Sequence, residues 1–192
     1  MISRFLRTSN DRSSMSQTSI RFSATPQKVG DRTILTLPDD ASAALPSRGQ
    51  VAVAGTINSV AFETVVEPDG RRGHWLSIGD ELLGLLADDL NEAEVEFSPV
   101  GSWPEPSVPE DLQVALAEAP DIAETWNDIT PMARWEWVRW VNATANPATR
   151  ERRVEVSISK LRGGKRRPCC FDLSSCTDPE VSKSGKLNLP MP

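Results

Sequence analysis

The chain has 192 residues, 39% of them hydrophobic, with six tryptophans, no tyrosine and a formal net charge of −6, enough apolar mass for one large domain or two small ones. No apolar run approaches the ~18 to 20 residues of a membrane span, and the opening MISRFLRTSNDRSSMSQTSIRF lacks the apolar stretch of a secretory signal, so a cytoplasmic protein is expected. The three cysteines, Cys169, Cys170 and Cys176, all near the C-terminal end, fit a reducing compartment rather than a disulfide scaffold.

Residues 1–17 are rich in Ser and Arg and read as a disordered arm, with two alternatives: a transit segment, or a true start at Met15 rather than Met1. Residues 18–101 are dominated by short β-type runs, SIRFSA, RTILTLP, VAVAGTI, AFETVV, HWLSI and AEVEFSPV, spaced as in a small barrel or sandwich. Asn58-Ser59 and Asp69-Gly70 supply residues that tolerate positive φ, so three consecutive antiparallel strands are expected around them. DDASAAL (39–45) and GDELLGLLADDL (79–90) break the alternation and predict short helices, the second with Asp80 as its cap.

Residues 102–109, with Pro104, Pro106 and Pro109, read as an extended linker. From 110 to 164 the pattern is helical. Thr130 and Asn146 each precede a proline, the arrangement of an N-cap followed by proline in the first turn. VEVSIS (154–159) fits a strand or a helix by period, and the cap before it and Gly163-Gly164 after it select helix. Residues 165–192 have no period and read as a mostly flexible tail with at most a short docked segment. The fold class is therefore α+β: a small antiparallel β-barrel, a small α-helical domain and a tail.

Charge is segregated along the chain. Residues 1–38 carry 6 bases and 2 acids, residues 39–128 carry 3 and 19, and residues 129–192 carry 12 and 6. Either the basic C-terminal part docks on the acidic middle, or it is held for an anionic partner.

On a helical wheel, Trp137, Val138, Trp140 and Val141 share an apolar arc, Glu136, Arg139 and Asn142 lie opposite, and Trp135 falls towards the polar side. Arg150 and Arg153 share one face of the next helix, to be paired with acids of the middle block or to hold an exogenous anion. The basic stretch from Arg150 to Arg167 allows nucleic acid only weakly, since it lacks interleaved exposed aromatics other than Trp135 and Phe171 on either side of it, and GGK lacks the spacing of a phosphate-binding loop. The cysteine cluster has no histidine or fourth cysteine to complete a zinc site, though its basic neighbours would favour a reactive thiol. His74, the only histidine, has no nucleophile motif beside it and reads as structural. No metal, cofactor or catalytic set is implied.

Residues 37–78, LPDDASAALPSRGQVAVAGTINSVAFETVVEPDGRRGHWLSI, resemble a bacterial barrel domain of unknown function. Residues 130–168 resemble the helical bacteriocin-protection, YdeI/OmpD-associated domain, its pattern falling on Thr130, Pro131, Trp137, Trp140, Val141, Pro147, Thr149, Arg150, Arg152, Arg153 and Val154. The resemblance implies an AbrB-like double-split barrel joined to a helical domain and brings no catalytic residues with it. The leading expectation is a non-enzymatic protein that binds a protein or an anionic ligand, possessing a contact surface of Arg150, Arg153, Trp135 and Arg139. A DNA-associated regulator and a thiol-dependent enzyme or redox sensor are the alternatives.

Overall fold

The computed structural model describes residues 19–86, 91–144, 146–168, 178 and 181–189. The expected N-terminal arm and the cluster of Cys169, Cys170 and Cys176 lie outside them. Seven strands are present: β1 (Ile20–Ala24), β2 (Gln27–Val29), β3 (Arg32–Thr36), β4 (Val51–Ile57), β5 (Val60–Pro68), β6 (His74–Ile78) and β7 (Ala93–Pro99), six of them on the predicted β runs and β2 on none of them. They form one antiparallel sheet in the order β1-β7-β4-β5-β6-β3-β2.

The sheet curls into a half-barrel because β5 serves two partners in turn. Val60 to Val66 pair with β4, and Glu67 and Pro68 pair with β6. The end strands β1 and β2 are not bonded to each other, so the expected barrel-type sheet curls without a ladder between its two ends. Two short helices cover the core instead: α1 (Asp39–Ala43) contributes Ala41, and α2 (Asp80–Leu85) lays Leu82 and Leu83 against Leu35, Val53, Val66, Leu76 and Phe97. Asp80 is not the cap of α2. Gly79 holds that position and Asp80 sits in the first turn, where its charge still suits the positive end of the helix.

The β4–β5 hairpin turns on Asn58 and Ser59, both with positive φ (47° and 69°) as a two-residue hairpin loop demands. Asn58 also ties the turn to β7, its Oδ1 accepting the Glu94 N–H at 2.8 Å. At the β5–β6 connection, Asp69 Oδ1 accepts the backbone N–H of Arg71 (2.6 Å) and of Gly73 (2.8 Å), so one carboxylate organises the loop.

The helical part comprises α3 (Glu110–Ala117), a 3-10 turn at Pro120–Ile122, α4 (Ala123–Asp128), α5 (Pro131–Asn142) and α6 (Pro147–Arg162). Val154, Ile158 and Leu161 face inward from α6, which explains why VEVSIS is helical: the helix period buries them where a strand would not. Among the described residues no helix is long and apolar enough to cross a membrane.

Near the C-terminal end, β8 (Ser182–Lys183) and β9 (Lys186–Leu187) form a small hairpin. Val181 and Leu187 are buried against Val29, Ile34 and Trp75, on the β2-β3-β6 side of the sheet. The docked segment is thus a second small core, and the sequence shows it only as the isolated apolar residues Val181 and Leu187.

His74 is buried in the half-barrel. Its Nε2 lies 3.3 Å from the Gly49 carbonyl, which only accepts, so Nε2 carries the proton and Nδ1 accepts from the Ser42 hydroxyl at 2.8 Å. Burial holds the His74 pKa below its ordinary value of 6.5. The unfolded chain therefore takes up a proton near 6.5 while the folded chain does not, so stability present above that pH is lost progressively below it. His74→Gln is expected to flatten the dependence of the melting temperature on pH below 6.5, read by thermal denaturation of both proteins across that range; parallel curves would contradict it.

Candidate functional site

The two capped helices are built as their sequences dictate. The Thr130 side chain accepts from the Ala133 N–H and the Asn146 side chain from the Thr149 N–H, while Pro131 and Pro147 open the first turns. Each cap satisfies an end donor that would otherwise lack a partner, a contribution of about 1 kcal/mol.

The three tryptophans of α5 then divide the work. Trp137 is fully buried and its indole N–H donates to the Arg166 carbonyl at 3.3 Å. Trp140 meets Trp137 edge to face, ring centroids 6.1 Å apart, and carries two cations on its ring, Arg153 at 5.6 Å and Lys160 at 5.5 Å. Trp135 points the other way and pins the linker: its indole N–H donates to the Pro104 carbonyl at 2.8 Å and its ring meets Trp103 edge to face. Beside it, Arg134 forms a bidentate pair with Glu105, at 2.5 and 2.7 Å.

Most of the arginines expected to face a partner are engaged within the chain. Arg150 forks onto Asp111 (2.6 and 3.0 Å) and reaches Asn142 Oδ1 at 3.0 Å, closing α6 onto α3 and α5. Arg153 donates to the Trp140 carbonyl at 2.7 Å, satisfying an acceptor in the last turn of α5. Arg162 pairs with Asp121, Arg166 with Asp128 and Arg167 with Glu136. The basic C-terminal block docks on the acidic middle, one of the two readings its charge allowed. These guanidinium forks also hold the Asp111, Asp121 and Glu105 carboxyls below their ordinary range.

The polar arc of α5 is not a solvent face. Glu136 and Arg139 are 1% and 3% exposed, because the apolar arc is covered by α6 and its neighbours while the opposite arc abuts the half-barrel and the segment after α6. Arg139 makes a buried ion pair with Glu67 at the end of β5. Glu67 Oε2 also accepts the Asp178 N–H at 3.2 Å, and Asp178 Oδ2 accepts from Arg32 Nη1 of β3 at 2.8 Å. Burial pushes the Glu67 carboxyl up, and the Arg139 guanidinium pulls it back.

Residues 22–84 match the family model described as a domain of unknown function, DUF1905, and residues 105–164 match the model described as bacteriocin-protection, YdeI or OmpD-associated, OmdA. The chain is a DUF1905–OmdA fusion. No curated protein matches it. The OmdA match begins within the proline-rich segment, and Trp135 and Arg134 of that domain grip the segment from one side.

Arg139 and Glu67 join the two domains, and Asp178, outside both matches, completes the cluster. Of the expected contact residues, Arg150 and Arg153 lie together on the α6 side of the OmdA domain, while Trp135 sits at the linker and Arg139 at the domain junction. Sequence reading named Arg139 but missed its partner. The signal available was Glu67 itself, a single acid in VVEP at the buried end of a strand. Among the described residues no group of three His, Cys, Asp or Glu side chains is placed to hold a metal.

Removing one member of a buried pair strands the other, which costs about 3–5 kcal/mol, whereas removing both is far milder. Glu67→Leu and Arg139→Met are each expected to destabilise the DUF1905–OmdA chain by about that amount at neutral pH, and the double variant by much less. Urea denaturation of the four proteins measures the coupling, and additive losses would contradict the ion pair.

Proposed function

We propose that this DUF1905–OmdA chain is a non-enzymatic binding protein and that its contact surface is the groove at the start of α6. The groove, about 390 Å³, is bounded by Trp140, Ala148, Thr149, Arg152, Arg153 and Val156. One observation carries the reading: an apolar floor of Trp140, Ala148 and Val156 is rimmed by two guanidiniums that keep their charge available.

Arg153 is anchored through a backbone carbonyl and an aromatic ring, neither of which neutralises it. Arg152 pairs with Glu155 one turn on, at 2.9 Å, with both side chains more than half exposed; such a pair is worth little in water and exchanges readily for a better acid. An acidic group beside an apolar side chain on a partner protein fits this surface. Arg150 supports the groove from behind through Asp111, and Trp135 and Arg139 support the domain that carries it.

The OmdA family description associates such domains with bacteriocin protection, and we extend a protective role through binding to this chain. The test is affinity purification with the full chain beside an Arg152→Glu, Val156→Glu variant, each checked for an unchanged melting temperature. A protein partner captured by the first and reduced at least about tenfold with the second is expected, the loss of one charge-assisted contact being worth about that factor. Equal capture by both would place the interaction elsewhere, and duplex DNA as the retained partner, with steep salt dependence, would favour a nucleic-acid role.

A further inference from the structure

A second site lies in the DUF1905 domain, independent of the α6 groove. The acidic block, residues 39–128, contains 19 acids and only three bases, Arg48, Arg71 and Arg72. All three line one cavity of about 430 Å³ together with Asp39, Asp69 and the His74 ring. They reach it from two separate connections, Arg48 from the α1–β4 loop and Arg71 and Arg72 from the β5–β6 loop. We propose that this cavity binds a small phosphorylated ligand through the three guanidiniums.

The pairing pattern sets these arginines apart. Nine others, at 21, 32, 134, 139, 150, 152, 162, 166 and 167, form salt bridges with acids. Among the described residues Arg48, Arg71 and Arg72 form none. Arg48 donates to the Arg72 carbonyl (3.3 Å) and the Ser42 hydroxyl (3.5 Å), and Arg71 to the Leu187 carbonyl at 2.7 Å. These neutral acceptors orient two guanidiniums without cancelling their charge. The Arg72 side chain makes no hydrogen bond among the described residues.

The acids in the cavity do not take over that role. Asp69 is spent on the backbone N–H groups of its own loop, and Asp39 stands in the first turn of α1, in reach of a ligand's hydroxyl donors from the cavity wall.

The loop is held in a form that ordinary sequence preference disfavours. Arg72 has φ +79°, a left-handed conformation that costs about 1 kcal/mol or more for a residue with a Cβ. Gly70 has φ +73°, and a Cβ there would overlap the Gly185 carbonyl of the C-terminal hairpin. That hairpin fixes the loop further through the Leu187 N–H donating to the Asp69 carbonyl at 3.0 Å. His74, hydrogen-bonded to Ser42 and Gly49, forms part of the cavity wall. Three guanidiniums on such a frame match a group of two or more negative charges with several acceptor oxygens, and phosphate takes paired N–H donors from Arg in plane. The volume suits a small molecule rather than a polymer.

The test is calorimetric titration of the full chain with inorganic pyrophosphate at fixed ionic strength, beside Arg72→Ala and a control outside both sites, Arg162→Ala. Saturable binding by the wild type and the control, weakened about tenfold or more in Arg72→Ala, is expected from the loss of one charge-assisted contact. Arg72→Gly, which relaxes the positive φ while removing the same charge, is expected to show the same loss and guards against a folding defect in the alanine variant. No saturable binding to the wild type, equal binding by Arg72→Ala, or an equal loss in Arg162→Ala would overturn the proposal.

Discussion

The ion pair between Arg139 and Glu67 is the contact on which the arrangement of this chain turns. Both groups are removed from water, so each is tolerable only while the other is present. One sits at the end of β5, where the half-barrel sheet changes partners, and the other in the last turn of α5, whose opposite face packs on α6. Because α5 is anchored on both faces, its caps, its tryptophans and its arginine partners all refer to a single orientation against the half-barrel. Asp178 and Arg32 extend the same network to the C-terminal segment and to β3.

Around that buried centre, the surface electrostatics act as a seam. Acids of the linker, α3, the 3-10 turn and α4 meet arginines of α5, α6 and the segment beyond, in forks that fix direction as well as distance. Individually, exposed pairs of this kind add little stability. Their effect is to make the helical domain nearly self-neutralising, which leaves the few cations outside the seam conspicuous. Arg152 and Arg153 rim one groove, and Arg48, Arg71 and Arg72 line another cavity, and both readings of function rest on that remainder.

Much of the architecture is legible in the sequence because it is written in local chemistry. Asn58-Ser59 accepts the φ values of its hairpin, Thr130-Pro131 and Asn146-Pro147 start helices exactly where a cap and a proline are tolerated, and the apolar period of α6 decides VEVSIS. The resemblance to the two domain families rests on the same residues. What is not legible is long-range. A helical wheel places Glu136 and Arg139 opposite the core and so predicts solvent for them, since it contains no information about a second body on that side. How the seven strands curl depends on which residues of β5 pair with β6, and the docking of Val181 and Leu187 depends on a cleft formed by Val29, Ile34 and Trp75. The cavity of Arg48, Arg71 and Arg72 is likewise invisible until two loops are brought together, although the scarcity of bases in the acidic block marks all three of its arginines.

If the buried pair makes one cooperative unit of the two domains, their deepest amides should open together. Native-state hydrogen exchange, followed on β5 and on α5 with increasing denaturant, measures this directly. Val65 and Val66 in β5 and Trp137 and Val138 in α5 are expected to converge on one opening free energy. An α5 that opens at clearly lower free energy while β5 stays protected would show two independent domains, with Arg139 and Glu67 in incidental contact.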